Sequence, residues 1–215
     1  LSEKVQNDTL KKLNIPDTIP TAFFPLPPWD FVKSRNSRNN FKIDKKIPRF
    51  LFFGTLNKSK GYDAILNSFT HLIKAKEKDL QKWELKVCGK ENAKVDKIKD
   101  PRISYNLSFI PDEEISDLFN NSNIILLPYT KASQSGVLVL AAQFNLYPVI
   151  SNIPSLIEQA QFYFEEYSIA GPDSKSLYSK ISEIIKSFYN GKPFLTKCYL
   201  PTIEESAKSM KKLVK

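Results

Sequence analysis

The sequence predicts an α/β fold in which helices cover both faces of a mostly parallel, doubly wound sheet. From residue 47 onward, short apolar runs alternate with segments of helical periodicity, as in strands joined by helical crossovers. The run Ile124–Leu127 (IILL) shows no alternation of polar and apolar residues, which is expected of a strand buried on both faces. The segment Lys60–Lys76 repeats apolar residues at helical spacing over successive turns.

The individual elements follow from composition and spacing. Strands are short apolar runs that end at Gly or a polar loop, and helices carry apolar residues three and four positions apart. The predicted strands are Arg49–Gly54, Glu84–Cys88, Ile103–Ile110, Asn123–Leu127 and Tyr147–Ile150. The predicted helices are Lys60–Lys76, Asp112–Asn120, Gly136–Phe144, Pro154–Gln159, a helix that starts after the N-cap Asp173 and extends to Phe188, and Ile203–Val214.

The first 46 residues differ from the rest. Ser2–Leu13 predicts a short helix, which five prolines between residues 16 and 28 and the polar run Lys33–Lys46 follow. Such a proline-rich segment is typical of a connection between domains. We expect residues 1–46 to be the tail of another domain plus a linker, 47–190 to be the packed domain, and 191–215 to carry a C-terminal helix that packs on it or crosses back. Because the first residue is Leu, we expect a longer protein.

Composition excludes several classes of protein. With 41% hydrophobic residues, 26% charged residues and 15 Phe, the chain is globular. No apolar run reaches the roughly 18 residues that span a bilayer. Two cysteines and one histidine argue for a reducing compartment and against a Cys/His metal site. The net charge of +9 fits a solvated lysine-rich surface, an acidic ligand or anionic lipid, and the absence of a basic–aromatic signature argues against nucleic acid.

Four loops are predicted at the carboxyl ends of the strands, where ligands bind in folds of this class. They are Gly54–Gly61, Gly89–Asn92, Ile110–Glu113 and Tyr129–Gly136. All but Ile110–Glu113 combine Gly with Lys. Their convergence at one edge of the sheet predicts a ligand that bears phosphate.

The loop Gly54–Gly61 offers a backbone that a ligand can approach at Gly54 and a point charge at Lys60. A solvated lysine in the first turn of a helix has the same appearance. The loop lacks the Gly-Lys-Ser/Thr order of a Walker A loop, and no GxGxxG is present, so a dinucleotide pocket is not expected.

The loop before the helix Gly136–Phe144 is the second candidate. Gln134 and Ser135 can donate hydrogen bonds to phosphate or sugar hydroxyls, and Gly136 presents an unobstructed N–H at a helix N-terminus. An ordinary strand-to-helix turn is equally compatible with the spacing. At the other strand ends, Lys90 faces either a ligand or solvent, and the backbone of Ile110 can hold a planar base.

The sequence contains no recognisable pair of nucleophile and base. Its candidate carboxylates show no arrangement that acid/base chemistry would need; they are Glu113, Glu114, Glu158, Glu165 and Glu166. Chemistry that depends on electrostatic stabilisation of a leaving diphosphate needs only fixed cations and N–H donors.

Five segments resemble, in order and spacing, the C-terminal donor-binding domain of family 4 (group 1) retaining glycosyltransferases. They are FLFFGTLNKSKGYDAILNSF, LKVCGK, SFIPDEEISDLFNNSNIILLPY, ASQSGVLVLAAQFNLYPVI and SNIPSLIE. The resemblance covers about Arg49 to Phe188. It implies a Rossmann-like domain, the C-terminal half of the two-domain GT-B architecture, and a nucleotide diphosphate sugar as the donor. Ser2–Leu13 would then be the tail of the N-terminal, acceptor-binding domain.

The family pattern is only partly present. Lys60 takes the position of the lysine that contacts the donor diphosphate, whereas Thr55 and Asn57 stand where an arginine is usual. Ser133 and Ala141 occupy the places of the two carboxylates in the Glu-x7-Glu motif, of which the second holds the ribose. Each lost charge-assisted hydrogen bond costs roughly 1.5–3 kcal/mol of binding energy. A subset of the family resembles this chain more closely through Ser-Gln-Ser-Gly in this loop.

The resemblance implies transfer of a hexosyl-type sugar, with retention, to a saccharide or lipid-linked acceptor in surface polysaccharide or glycan synthesis. It implies no metal and no cofactor beyond the nucleotide sugar. It also implies a cytoplasmic protein that contacts the inner face of an anionic membrane peripherally. The fragment is expected to be inactive without its N-terminal domain. The expected catalytic residues are Lys60 and Gln134. The expected binding residues are Gly54, Thr55, Lys60, Lys90, Ile110, Ser133, Gln134, Ser135, Gly136 and Val137.

Two alternatives remain. The chain can be a degenerate member of the family that keeps the fold and serves as a non-catalytic partner or scaffold. It can also be a flavodoxin-like or regulatory α/β module, although the first strand end (RFLFFGTLN) carries neither an acidic cluster nor a flavin loop.

Overall fold

The computed structural model describes residues 11–12, 26–29, 47–91, 94–191, 194 and 196–211, without the side chains of 209–211. Lys11 and Lys12 are helical. The remainder of the predicted helix Ser2–Leu13 and the polar run up to residue 46 lie outside the described residues.

The strands of the described residues form one parallel sheet of six, in the order β3-β2-β1-β4-β5-β6. In the centre, Phe50 pairs with both Leu85 and Ile124. This all-parallel order confirms the predicted doubly wound, Rossmann-like α/β fold. The strands are β1 (Arg49–Phe53), β2 (Glu84–Cys88), β3 (Ile103–Asn106), β4 (Ile124–Leu127), β5 (Tyr147–Ser151) and β6 (Ser168–Ala170).

Helices connect these strands in the order predicted. Those of the described residues are α1 (Tyr62–Lys74), α2 (Asp112–Asn120), α3 (Gly136–Gln143), α4 (Pro154–Tyr163), α5 (Ser174–Tyr189) and α6 (Ile203–Lys211), with short 3-10 helices at Lys58–Lys60 and Lys78–Leu80. The last four residues of the chain, which include the predicted helix end at Val214, are not among the described residues.

Two apolar clusters cover the two faces of the sheet. Along β1, Phe50 belongs to the first cluster and Leu51 to the second, and along β4 the same holds for Ile124 and Ile125. Successive side chains of a strand point to opposite faces, so both faces of these strands are buried. This explains why the sequence of β4 shows no alternation. The first cluster is completed by α1 and α5, and the second by α2, α3 and α4.

Several boundaries differ from the prediction for local reasons. Helix α1 begins at Tyr62 because a 3-10 turn precedes it and Gly61 adopts a left-handed conformation. The pairing of β3 stops at Asn106, whose side chain accepts hydrogen bonds from the N–H and the hydroxyl of Ser108, so the strand does not reach Ile110. Strand β6 was not predicted, since its three residues at the sheet edge are too few to show a period.

Candidate functional site

The order of the strands places a crevice between the carboxyl ends of β1 and β4. These strands are neighbours at the centre of the sheet, although the chain forms β2 and β3 between them. Helix α1, which follows β1, packs in the first cluster, and α3, which follows β4, packs in the second. The two connections therefore leave toward opposite faces, which opens the space between them.

The loops after β1 and β4 are joined to each other. Gly61 has φ +74°, and a Cβ at this position would lie 1.8 Å from the carbonyl oxygen of Pro128. Next to it, the N–H of Thr130 donates to the carbonyl of Ser59 at 3.0 Å. Only a glycine permits this approach, so the loops form one continuous wall at the end of the sheet.

The loops after β1 and β2 also meet through their backbones. A Cβ on Gly89 would lie 2.0 Å from the carbonyl oxygen of Gly54. The N–H of Gly54 donates to Cys88, and the N–H of Leu56 donates to the carbonyl of Lys90, both at 3.0 Å. The backbone of Lys90 is thus fixed beside the first loop, while its side chain is exposed.

Lys60 lies at the end of the 3-10 turn and over an aromatic ring. The side chain of Asn57 caps the turn by accepting from the N–H of Lys60 at 2.9 Å. The Lys60 Nζ lies 4.0 Å from the centre of the Tyr129 ring, and burial lowers the pKa of the ammonium. No ion pair within the described part of the chain involves Lys60. The ring is therefore its nearest electrostatic partner, and its charge is only partly solvated.

Ser135 fixes the start of helix α3. It is 2% exposed, and its Oγ accepts from the N–H of Leu138 at 3.3 Å and lies 3.4 Å from the hydroxyl of Tyr129. Its N–H donates to Oε1 of the buried Gln159 at 2.8 Å. The hydroxyl of Ser135 is thus engaged as the N-cap, and the turn before α3 is held from three directions.

The segment 26–29 packs against the same helix end. A Cβ on Gly136 would lie 2.7 Å from Cζ2 of Trp29. The side-chain amide of Gln143 accepts from the N–H of Trp29 at 3.2 Å and donates to its carbonyl at 3.3 Å. Tyr163 donates its hydroxyl to the carbonyl of Leu26 at 3.0 Å. Four residues of the proline-rich segment are therefore anchored on α3 and α4.

The remaining residues singled out from the sequence differ in exposure. Ser133 is exposed, whereas Thr55, Gln134 and Val137 are partly buried. Ile110 is buried in the second cluster together with Cys88 and Tyr129.

The position of the second family carboxylate is closed. Ala141 is 0% exposed and belongs to the second cluster, as Ile110 and Tyr129 do. A ribose hydroxyl could contact this side chain only if the surrounding apolar groups moved. The first position, Ser133, is by contrast exposed.

The structure brings Lys60 to the ring of Tyr129 and Ser135 to its hydroxyl, and it joins the backbones of Gly54 and Gly89. Sequence reasoning missed three residues that organise this region: Tyr129, Gln159 and Trp29. Tyr129 follows a buried strand and Trp29 ends a proline run, which are weak signals. Gln159 gave none, because a polar residue on a helix normally faces solvent.

The region offers electrostatic rather than nucleophilic chemistry. Burial raises the pKa of the Cys88 thiol to about 11, so it stays protonated near neutral pH. Over the residues that the structure describes, no three His, Cys, Asp or Glu side chains converge as metal ligands. Among the same residues, no helix has the length and apolar character to cross a bilayer.

Comparison with solved structures shows the same architecture at low sequence identity. A glycosyltransferase from Rickettsia africae ESF-5 superposes with a TM-score of 0.67 at 12% identity, over 100% of this chain and 62% of its own. Sucrose-phosphate synthase from Thermosynechococcus elongatus gives 0.63 at 14% identity, over 100% of this chain and 56% of its own. This chain thus spans less than two thirds of either protein.

A shorter structure covers the same region. The C-terminal domain of a glycosyl transferase group 1 family protein (LpcC) from Francisella tularensis superposes with a TM-score of 0.51 at 16% identity, over 86% of this chain and 93% of that domain. A search of curated protein sequences gave no match. The sequence model of the glycosyl transferases group 1 matches residues 33–190, which is most of the chain. This protein therefore belongs to the glycosyl transferases group 1, as the sequence resemblance predicted.

Proposed function

We propose that this chain is the donor-binding part of a glycosyltransferase that moves a sugar from a nucleotide diphosphate sugar to a saccharide or lipid-linked acceptor. The observation that carries the proposal is the placement of Lys60 and the N-terminus of α3 on either side of Tyr129, at the switch point of the sheet. A cation and a helix N-terminus in one crevice suit a diphosphate.

The diphosphate is proposed to lie between Lys60 and the first turn of α3. An α-helix leaves its first N–H groups without partners inside the helix, and Ser135 already caps that of Leu138. The N–H groups of Gly136 and Val137 are then the ones that face an anion. The side chains of Gln134 and Ser133 would contact the transferred sugar. Gly54 and Thr55 would lie along the other side of the phosphates.

The nucleoside is proposed to lie toward β2 and β3. The backbone of Ile110 would hold the base, and Lys90 would flank it. Because Ala141 replaces a carboxylate and is fully buried, the ribose would gain no charged contact at this position. The diphosphate would then contribute most of the binding free energy.

The proposed catalysis is electrostatic. The bond from the anomeric carbon to the diphosphate breaks, the acceptor hydroxyl oxygen bonds to the same carbon, and its proton passes to the departing diphosphate. Lys60 and the dipole of α3 stabilise the negative charge that grows on this leaving group. Gln134 would orient the sugar by hydrogen bonds. Retention of configuration, a hexosyl donor and a role in surface polysaccharide or glycan synthesis are part of the proposal and rest on the family.

The acceptor is proposed to bind outside this chain. Since the chain spans 56% and 62% of two related structures, we propose that an N-terminal domain supplies the acceptor site and that the chain alone does not turn over. A cytoplasmic location is proposed because the two free cysteines fit a reducing compartment. Peripheral contact with an anionic membrane is proposed from the net charge of +9. No nucleic-acid partner and no metal are proposed.

Thermal unfolding with a panel of UDP-, GDP- and ADP-sugars tests donor binding. A donor at about 100 times its dissociation constant should stabilise the chain by about 2.7 kcal/mol. Lys60→Ala should abolish most of this stabilisation. Lys58→Ala is the matched control, because Lys58 belongs to the same 3-10 turn but is exposed. No shift with any donor, or equal loss in both variants, would overturn the proposal.

A second function is favoured by the closed position at Ala141, namely a non-catalytic partner that keeps the fold. On that hypothesis, Lys60→Ala in the full-length protein leaves its cellular function intact. Loss of function in Lys60→Ala at unchanged protein abundance would exclude it.

A further inference from the structure

Tyr129 occupies a position that the proposed function does not use. It lies two residues after the end of β4 and is 1% exposed. Its ring lies under Lys60, and the hydroxyl on that ring lies beside Ser135.

We propose that Tyr129 is a positioning residue that sets the ammonium of Lys60 and the turn before α3 in one fixed relation. It would not touch the reacting atoms. The inference rests on the proposed function for its purpose, since a fixed distance between cation and helix N-terminus is what a diphosphate requires. The geometry itself can be tested without any ligand.

The backbone of Tyr129 is held on both sides. Pro128 packs against Gly61 so closely that a Cβ there would meet its carbonyl at 1.8 Å. On the other side, Thr130 donates its N–H to Ser59 at 3.0 Å. The tyrosine is therefore anchored to the same loop that carries Lys60, and its ring can serve as a rigid support.

The ring supplies the stronger of its two interactions. The Lys60 Nζ lies 4.0 Å from the ring centre, which is within range for a cation–π interaction of a partly desolvated ammonium. The hydroxyl of Tyr129 is 3.4 Å from Ser135 Oγ, at the long limit for a hydrogen bond. Removing the hydroxyl should thus have a small effect, and removing the ring a large one.

The first experiment measures the ring contact directly. In the full chain labelled with ¹³C-lysine, the Hε protons of Lys60, assigned through Lys60→Arg, should be shielded relative to those of the exposed Lys58. The shielding should persist in Tyr129→Phe and disappear in Tyr129→Leu. Equal shifts for Lys60 and Lys58 in the unmodified chain would overturn the proposal, whether or not Tyr129→Leu folds.

The second experiment measures binding of pyrophosphate and of the donor found in the nucleotide-sugar panel. Tyr129→Leu should weaken binding by about three- to tenfold, and Tyr129→Phe by less than about twofold. In the Lys60→Ala background, Tyr129→Leu should have no further effect, since the ring acts through the ammonium. Tyr147→Leu is the control for loss of a buried tyrosine, because Tyr147 lies in the cluster on the other face of the sheet and its hydroxyl is 3.0 Å from Ser168 Oγ.

The two proposals fail in different ways. If the unmodified chain binds no diphosphate but Lys60 is shielded by the ring, the proposed function falls and the placement of Lys60 by Tyr129 stands. If the donor binds and Tyr129→Leu binds it as well as the unmodified chain does, the positioning role is wrong and the proposed function stands. If Tyr147→Leu weakened donor binding as much as Tyr129→Leu does, the positioning role would also be overturned.

Discussion

The region at the carboxyl ends of β1 and β4 has a polar half and an apolar half. Tyr129 contacts the polar half and belongs to the cluster that contains the apolar half. The polar half consists of Lys60, Ser135 and Gly136, where a cation, a capped turn and a helix N-terminus meet. The apolar half consists of Ile110 and Ala141, both buried in the second cluster. Relative to the family pattern, the lysine that suits a diphosphate is kept, whereas the arginine before it and the two carboxylates that suit sugar and ribose are replaced. A nucleotide sugar would therefore be held mainly by its phosphates.

The largest expected effect comes from breaking the junction that builds the polar half. Gly61→Ala should destabilise the chain by more than about 3 kcal/mol, because the new Cβ would overlap the carbonyl of Pro128 and the residue has φ +74°. Gly191→Ala is the matched control, since Gly191 has φ +82° but nothing lies within 4 Å of its Cβ position. It should cost about 1 kcal/mol in urea unfolding. Similar values for both variants would show that the junction is not tight.

The apolar half can be tested by restoring the carboxylates. Ala141→Glu should lower the free energy of unfolding by about 3 kcal/mol, because it places a charge at a position that is 0% exposed. Ser133→Glu, at the exposed first position, should change it by less than about 0.5 kcal/mol. Urea unfolding of both variants compares them. If Ala141→Glu is tolerated and strengthens donor binding, the apolar half opens when the ligand binds.

The contact of segment 26–29 with α3 predicts an energetic coupling of intermediate size between Trp29 and Gly136. Gly136→Ala should destabilise by about 1–3 kcal/mol, because its methyl group would press on the Trp29 ring. In the Trp29→Ala background the same substitution should cost less, with a coupling energy of about 1 kcal/mol or more in a double-mutant cycle. If the destabilising effects of the two substitutions are additive, Trp29 does not pack against the start of α3 in solution.

The fold was predictable because its signals are local. Periodicity identified the helices, and the unbroken apolar run of β4 identified a strand with two buried faces. The family motif singled out Lys60 and Gly136, and their roles in binding stay predictions. The supporting residues were not, because their partners are distant in sequence: Trp29 pairs with a residue 114 positions away. A buried amide such as Gln159 has no local pattern that distinguishes it from a surface residue.

The smallest expected effect is a dependence of stability on pH that belongs to Lys60 alone. Burial holds the pKa of this ammonium below its model-compound value of 10.5, so the unfolded chain binds more protons than the folded chain in the window between the two values. Stability contributed by this group should therefore rise as the pH increases through that window. The difference in urea midpoint between the unmodified chain and Lys60→Met should shift in favour of the unmodified chain as the pH rises toward 10.5.

The control for that shift is Lys58→Met. Groups away from the substituted lysine titrate equally in the unmodified chain and in each variant, so they cancel in the difference. Burial raises the pKa of the neighbouring Tyr129. Because Lys58 is exposed, replacing its side chain should change the urea midpoint little. If the difference in urea midpoint between the unmodified chain and Lys60→Met stays flat or falls as the pH rises, burial does not destabilise the charged form of Lys60. The polar half would then lack the partly desolvated cation that distinguishes it from the apolar half.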